Sequence, residues 1–440
     1  MVNRWNTSLW LAGVILVYVV LGIGFVIRTP DWQNPDEPAH YNYVRQVAEN
    51  GCCPLIEAGD WDSAYLDTLK IEEFHPSLLE RIDTIQYEDH QAPLYYLVAS
   101  ALYQVSGGGL FVVRLFSLIL GIGIIFFAYQ TAREVFPSKP YLAVGVAAFV
   151  AWIPQHIAML SAANNDAMAE LWVAIGLWHT VRYLKKPSIT LWDAVIMGIL
   201  GGLGALTKVN ALFICGVFGL AILIRWWQEK DRAIPQVIAQ IIGFLLPFVV
   251  LAGVWWMRNI SVYGMPDFLG LARHDEVVVG QLRTVDYIGQ IGGLGTYLQN
   301  LISTTFHSFW GQLGWMASPL PTWAYGLIGI LLVYFGVGWA LRVAQRPALS
   351  ESSKAVWLIL SISLIFTFLQ YAYYNSEFVQ FQGRYLFVGL VPMGIFIALG
   401  VEGWANKFFK RQPFLALVPF LSLVIINGYV IWRILPGLSY

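Results

Sequence analysis

Long apolar runs alternate with shorter polar segments along the whole chain. A transmembrane helix needs about 20 consecutive, mostly apolar residues. Runs of roughly that length lie at about 8–27, 110–130, 139–158, 163–184, 190–207, 209–227, 235–257, 322–343, 354–374, 385–402 and 413–435. The fifth and sixth runs are nearly continuous. The pattern predicts an all-α polytopic membrane protein with about eleven transmembrane helices.

The composition agrees with a membrane protein and excludes some partners. Apolar residues make up 58% of the chain, charged residues make up 12%, and the mean hydropathy is +0.61. These values lie far outside the range of soluble globular domains. A net charge of −1 indicates no nucleic-acid partner. Because the first apolar run lacks a small-residue cleavage site, we expect it to remain as an anchor; removal as a signal peptide is the alternative.

The three cysteines predict no disulfide framework. Cys52 and Cys53 are adjacent, and Cys215 falls within an apolar run. Because adjacent cysteines rarely pair with each other, we expect no disulfide framework.

The distribution of Lys and Arg predicts the orientation. If the N-terminus is cytoplasmic, the segments on that side carry fifteen of the 26 basic residues: Arg4, Arg133, Lys139, Arg182, Lys185, Lys186, Arg225, Lys230, Arg232, Arg342, Arg346, Lys354, Lys407, Lys410 and Arg411. Short cytoplasmic loops are enriched in such residues. An odd number of spans then places the C-terminus outside.

Two long segments, residues 28–109 and 258–321, would face outward. The first holds 14 of the 27 acidic residues. Loops longer than about 12–15 residues are usually functional or disordered. Because both segments contain apolar and aromatic residues at helix-like spacing, we predict two structured outer modules with short interfacial helices.

The first outer segment opens with an acidic motif in TPDWQNPDEPAHYNYVRQVAENG. Asn34 and Pro35 suit a helix start, which predicts a short surface helix over residues 37–49. Asp36 and His40 would then share one helix face. Two carboxylates followed by a histidine suit a divalent cation or a general base. Alternatively, Asp36 and Glu37 merely complement the helix N-terminus.

Further polar residues are predicted on the outer side, at the ends of spans. His90 lies in YEDHQAPLYYLVASALY, Asn164, Asn165 and Asp166 follow the third span, and three cations, Lys208, Arg258 and Arg384, border later spans. A lone interfacial histidine is more often structural than a ligand, and any one cation could be a membrane anchor. Three cations opposite an acidic loop could together hold a phosphate while a carboxylate deprotonates an acceptor.

The order of these motifs resembles that of the GT-C superfamily of integral membrane glycosyltransferases. NPDEPAHY resembles the acidic motif after the first span of that superfamily, and HQAPLYYLVA resembles its His-Pro-Pro-Leu-Tyr segment, with Ala92 in place of the first proline. RLFSLILG, SAANNDAMAE, GALTKVNA and RNISVYGMP follow in the same order. SFWGQLGWMASPLP and QGRYLFVGLVP are similar to a branch of bacterial membrane proteins of unassigned function.

The resemblance implies three regions: a common transmembrane module over residues 1–257, which includes the acidic outer loop 28–109; a second outer loop, 258–321; and a variable transmembrane module, 322–440. It also implies the inverting transfer of a sugar from a polyprenyl-phosphate donor to an acceptor hydroxyl on a lipid, glycan or protein outside the cytoplasm.

The resemblance also implies roles for particular residues. Asp36 would be the general base, and Glu37 and His40 would orient it or hold a divalent cation such as Mg²⁺ or Mn²⁺. Substrate would be bound by Arg384, Arg258, Lys208, His90, Asn165, Asp166 and Tyr385. The closest resemblance suggests a bacterial plasma membrane.

Two other functions fit a polytopic protein of this kind. One is a transporter or flippase for lipid-linked glycans, and the other is a non-catalytic scaffold for envelope assembly. No inverted repeat or pair of broken helices favours a transporter. Only an enzyme would require the Asp36 carboxylate.

Overall fold

The structure, a computed structural model, describes residues 7–228, 234–345 and 351–438. These residues are mostly helical, with one short β-hairpin. Four of the basic residues that predict the cytoplasmic side lie outside the described residues: Arg4, Lys230, Arg232 and Arg346.

The helices and strands follow one another in chain order. The α-helices are α1 (Thr7–Arg28), α2 (Glu37–Asn50), α3 (Ser63–Ile71), α4 (Leu94–Ser106), α5 (Leu110–Val135), α6 (Pro140–Trp152), α7 (Pro154–Leu160), α8 (Asp166–Lys185), α9 (Leu191–Ala205), α10 (Phe213–Gln228), α11 (Ile234–Tyr263), α12 (Leu271–Val277), α13 (Thr284–Gln290), α14 (Leu294–Trp310), α15 (Thr322–Ala344), α16 (Glu351–Glu377), α17 (Leu390–Phe408) and α18 (Leu421–Tyr429). Short 3₁₀ helices cover Pro76–Thr84, Val209–Leu212, Gly383–Gly389, Pro413–Phe420 and Leu435–Leu438, and a π-helical turn covers Val430–Ile434. The antiparallel strands are β1 (Gln312–Leu313) and β2 (Ser318–Pro319).

The chain is a multi-pass membrane protein. Within the described residues, eight helical segments are long and apolar enough to cross a bilayer. Three further predicted spans have a different form: α6 and α7 make a pair bent by 67°, α9 is a shorter apolar helix, and α8 carries charged residues at both ends. The count of eleven spans and the orientation of the termini therefore stay predictions.

Small residues let α15 and α17 pack closely in the bundle. A side chain at Gly338 would meet the Gly400 carbonyl oxygen at 2.0 Å, and one at Gly403 would meet the Gly338 carbonyl oxygen at 1.8 Å. Helices in membranes often associate through such residues because packing replaces the hydrophobic effect there. This contact matters for the outer face because α17 continues directly from the 3₁₀ helix that carries Arg384.

The two outer segments pack together into one cap, as expected for structured modules. Leu66, Leu69 and Phe74 of the first segment pack in one apolar cluster with Val277 and Val278 of the second. Indole nitrogens join the same segments: Trp61 Nε1 donates to the Val279 carbonyl oxygen at 2.8 Å, and Trp315 Nε1 donates to that of Trp32 at 2.9 Å. Burial of these apolar side chains holds the polar turns between them in place.

Two of the three cysteines are neighbours that pair with each other, although adjacent cysteines rarely do so. Cys52 and Cys53 form a disulfide, and Cys215 is free. The bond joins neighbouring residues and so cross-links no distant segments.

Candidate active site

A cavity of about 260 Å³ lies between the cap and the membrane helices. Both outer segments and the 3₁₀ helix at Gly383–Gly389 contribute to it. Its walls combine charged, amide and aromatic side chains: Pro35, Asp36, Trp61, Leu66, Lys70, Tyr87, Glu88, His274, Gln281, Trp315, Met316, Tyr374, Gln380, Gln382, Arg384 and Tyr385. Convergent polar groups with aromatic walls are typical of small-molecule sites.

Asp36 lies in this cavity at the turn that precedes α2. Its backbone is left-handed (φ 65°), a conformation that Asp tolerates better than most residues. Its carboxylate accepts hydrogen bonds from Arg384 Nη2 at 2.5 Å and from the Tyr87 hydroxyl at 2.9 Å. Burial opposes ionisation of Asp36, but the nearby Arg384 charge outweighs it, so the pKa of the carboxyl is lowered and Asp36 is ionised at neutral pH.

Arg384 and Tyr385 reach the cavity together from the short helix before α17. Gly383 makes this approach possible, because a side chain there would meet the Phe309 backbone nitrogen at 2.3 Å. The Arg384 guanidinium also lies over the Tyr385 ring, 5.2 Å from its centroid. Asp36 and Arg384 are 348 positions apart, so only the fold brings them into contact.

Glu37 points away from the cavity, although it follows Asp36 directly. Arg114 of α5 donates to both of its carboxylate oxygens, at 2.8 Å from Nε and 2.6 Å from Nη2. The same guanidinium donates to the carbonyl oxygens of Val26, Thr29 and Pro30, and both charged side chains are almost fully buried. This paired arrangement clamps the turn and so sets the direction in which Asp36 projects.

The predicted metal triad of Asp36, Glu37 and His40 is not assembled. Glu37 is held by Arg114, and His40 Nδ1 forms a hydrogen bond with the Tyr96 hydroxyl at 2.8 Å. Among the residues that the structure describes, no group of three or more acidic, His or Cys side chains is placed to hold a metal ion. Glu37 is lost from the group because it points in a different direction from its neighbour Asp36, and His40 is lost because the Tyr96 hydroxyl engages its ring.

Lys208 and Asp166 form a second ion pair close to the first. Lys208 Nζ donates to Asp166 at 2.6 Å, and both side chains are mostly buried. Burial lowers the pKa of Lys208, but the carboxylates of Asp166 and Glu88 outweigh it and raise that pKa overall. Because Glu88 lines the cavity, the second pair acts electrostatically on a wall of the cavity without lining it.

His90 and Asn165 are buried near the site but do not line the cavity. His90 Nδ1 forms a hydrogen bond with the Tyr87 carbonyl oxygen at 3.1 Å, and its ring lies 4.3 Å from that of His274, a lining residue. Burial lowers the pKa of His90 well below its usual value, so the ring is neutral. Asn165 Nδ2 donates to the Thr207 carbonyl oxygen at 3.2 Å. Both contacts support neighbouring segments.

Arg258 does not share the cavity with Arg384, so the expectation that the two converge is wrong. Its Nη2 donates to the carbonyl oxygens of Cys53 and Pro54, at 3.0 and 2.5 Å, and its guanidinium lies 4.6 Å from the centre of the Trp255 ring. These contacts commit Arg258 to holding the first outer segment against α11.

Several residues that line the cavity were not predicted from the sequence. Glu88 is the most notable, because one of its carboxylate oxygens is buried without a hydrogen-bond partner in the described part of the chain. It lies within YEDH, two positions before His90, which the sequence analysis did name. The sequence did not single out three aromatic lining residues, because the chain contains many others: Trp61, Trp315 and Tyr374. No sequence signal distinguishes the aromatic residues that enter a cavity from those that anchor helices.

Comparisons with known proteins point to one class of membrane protein. The family model for dolichyl-phosphate-mannose-protein mannosyltransferase matches residues 90–256. A search of curated proteins finds no match. The model and the structural neighbours described below all belong to the GT-C superfamily of membrane glycosyltransferases, which confirms the resemblance found in the motifs.

Two solved structures have a similar fold. ArnT from Cupriavidus metallidurans, bound to undecaprenyl phosphate, has a TM-score of 0.54 at 14% identity, covering 91% of this chain and 62% of that one. The oligosaccharyltransferase AglB from Archaeoglobus fulgidus, in complex with an inhibitory peptide and a dolichol-phosphate, has a TM-score of 0.53 at 12% identity, covering 99% of this chain and 56% of that one. The chain thus spans less than two thirds of either protein, and at such identities the likeness shows the fold.

Proposed function

We propose that this protein transfers one sugar from a polyprenyl-phosphate donor to an acceptor hydroxyl, with inversion at the anomeric carbon. The observation that carries the proposal is the contact between Asp36 and Arg384 in one cavity. It puts a proton acceptor beside a cation that can hold a phosphate, and glycosyl transfer from a phosphate requires both. The lipid phosphates bound by ArnT and AglB support this class of donor.

The reaction would proceed as a single displacement. Asp36 takes the proton of the acceptor hydroxyl while the acceptor oxygen forms a bond to the anomeric carbon. The bond from that carbon to the phosphate oxygen breaks, and its electron pair leaves with the phosphate. Arg384 stabilises the leaving charge, and the neighbouring Lys208 adds positive potential. Attack from the face opposite the leaving group gives inversion.

Donor binding would also activate the base. Before donor binds, the Arg384 charge lowers the pKa of Asp36 and makes it a weak proton acceptor. A donor phosphate that engages Arg384 competes for the same guanidinium. As Asp36 loses this partner, its pKa rises toward that of a buried carboxyl, and the proton transfer becomes more favourable. The ion pair thereby links deprotonation to the presence of donor.

The walls of the cavity suit a single sugar. Its volume of about 260 Å³ is near the lower end of the roughly 300–1,000 Å³ range of ligand pockets. Trp61, Trp315 and Tyr385 offer apolar ring faces, whereas Glu88 and Gln382 offer hydrogen-bonding groups to hydroxyls. Asp166 would hold Lys208 in place, and His90 and Asn165 would support these segments.

A divalent cation does not fit the residues first predicted for it. The Glu37 carboxylate is saturated by Arg114 and backbone donors, and Asp36 is engaged by Arg384. We therefore assign no step to a cation. We place the reaction on the outer face of a plasma membrane, because the cavity lies on the end of the bundle opposite to the predicted cytoplasmic loops.

The proposal can be tested with the full-length protein in membranes that contain the natural acceptor. Polyprenyl-phosphate donors carrying different radiolabelled sugars are supplied, and the release of polyprenyl phosphate is measured together with the labelled product. We expect turnover with the wild-type protein and its loss in Asp36→Asn. If the wild type consumes no donor but moves such lipids between leaflets, the transporter function is correct instead.

A further inference from the structure

A second cavity, of about 480 Å³, lies at the other end of the helices that carry the candidate active site. It is lined by Ser8, Tyr129, Gln130, Arg133, Glu134, Pro137, Trp178 and Arg182. Ser8 lies in the first turn of α1, whereas Asp36 follows the end of that helix. A helix of 22 residues rises about 33 Å, which is close to the thickness of the hydrocarbon core. The two cavities therefore face opposite leaflets.

Positive charge exceeds negative charge around this second cavity. Arg133 and Arg182 line it together with one carboxylate, that of Glu134. Lys185 Nζ lies 3.1 Å from Glu134, and Arg182 Nε lies 3.7 Å from it. Among the described residues at this site, two cations thus contact the one carboxylate, and Arg133 adds a third positive charge. An anion would compensate for the excess.

Both arginines contact neighbouring side chains. Arg133 Nη1 donates to the Tyr129 hydroxyl at 3.1 Å and to the Thr7 hydroxyl at 3.2 Å, while its Nε is buried without an acceptor in the described ranges. The Arg182 guanidinium lies 4.8 Å from the centre of the Trp178 ring. A cation that only anchors a helix extends freely into water. Arg133 is instead held by two hydroxyl groups, and Arg182, although 45% exposed, lies against an indole ring. Both present planar donor groups, which suit phosphate oxygens.

The surroundings of the cavity suit a lipid more than a soluble anion. Leu9 and Trp10 follow Ser8 directly and are 69% and 45% exposed. On α5, Phe126 lies two turns before Arg133 and is 40% exposed. Acyl chains could lie along these apolar side chains while a headgroup occupies the cavity. Basic pockets between transmembrane helices bind anionic headgroups in this way.

We propose that this second cavity binds the phosphate group of an anionic membrane phospholipid, in the leaflet opposite to the candidate active site. The site is separate from the proposed reaction and does not depend on it. The shared chemistry is a phosphate held by two arginines, and free phosphate is the other source that could supply it.

The test uses the full-length protein in phosphatidylcholine nanodiscs that contain a minor fraction of phosphatidylglycerol. Native mass spectrometry measures the phosphatidylglycerol that stays bound after release from the nanodisc. We expect retention by the wild type and about tenfold weaker retention in Arg133→Gln and in Arg182→Gln, since a hydrogen bond to a charged group is lost. The matched control is Lys407→Gln, which removes an exposed charge at the same end of the bundle and should retain the lipid.

Each outcome bears on the proposal. Equal retention by all variants would overturn it. Because Arg133 also contacts α1, Arg182→Gln keeps the test valid if Arg133→Gln fails to fold. In a parallel arm, inorganic phosphate is added to nanodiscs of phosphatidylcholine alone, to measure phosphate binding, and to nanodiscs that also contain phosphatidylglycerol, to measure displacement of that lipid. If free phosphate binds only when both arginines are present, and displaces phosphatidylglycerol, then a phospholipid is not the source of the bound phosphate group.

Discussion

Replacing Asp36 by Asn perturbs the candidate site with the least change in shape. Asn tolerates the left-handed backbone found at this position (φ 65°), so the turn before α2 is not strained. The amide oxygen can still accept from Arg384, and the Tyr87 hydroxyl can rotate to accept from the amide nitrogen. What disappears is the negative charge that pairs with Arg384.

The contacts of Asp36 allow the expected losses of folding stability and of transfer rate to be stated. Loss of one charge-assisted hydrogen bond costs about 1.5–3 kcal/mol, and the partial exposure of Asp36 keeps the cost near the lower end. The variant should therefore fold and insert. Loss of a general base should reduce transfer by about 10²–10⁴-fold. Donor binding should be unchanged or tighter, because the Arg384 guanidinium no longer has a competing carboxylate.

Two quantities are measured for purified Asp36→Asn in nanodiscs: the initial rate of donor consumption and the affinity for donor. The control variant is Asp83→Asn. Asp83 belongs to the same acidic outer segment but is half exposed and only loosely paired with Arg45, at 4.0 Å, so its replacement should leave transfer unchanged. Near-normal transfer by Asp36→Asn would refute the assignment of the base. A tenfold or greater loss of donor affinity would instead mean that Asp36 binds donor.

Four further predictions follow from the same contacts. Arg114→Gln leaves the buried Glu37 charge unpaired and should lower the free energy of unfolding by about 3–5 kcal/mol, measured as a fall in melting temperature and in folded yield. Glu88→Gln should lower kcat/KM for donor by about 10- to 100-fold, since it weakens a hydrogen bond to a charged acceptor, without loss of folded protein. Burial raises the pKa of Asp89 to about 8 in the folded protein, above its value in the unfolded chain. The folded protein should therefore lose stability as pH rises from about 4 to 8, by up to about 1.4 kcal/mol per pH unit. Asp89→Asn should flatten the dependence of melting temperature on pH in that window. A reporter active only outside the cytoplasm should work when fused at the C-terminus and fail after Lys186, and the reverse would overturn the predicted orientation.

The sequence alone was sufficient to predict a multi-pass membrane protein and to locate the acidic motif that begins α2. The length and apolarity of its runs are local properties, and bilayer thickness converts them directly into membrane helices. The acidic motif at Asp36 is also local, because it directly follows the first span and begins a helix whose bounds agree with the predicted ones. Motif order was enough to recognise the GT-C superfamily.

Which side chains meet in the cavity was decided only by the tertiary structure. Glu37 and Asp36 are adjacent in the chain, yet one is buried against Arg114 and the other faces Arg384. Arg258 and Arg384 occupy similar places at the ends of spans, yet local carbonyl oxygens commit Arg258 elsewhere. The direction of a side chain depends on packing between helices that are distant in sequence, and no local pattern of polar and apolar residues encodes that packing.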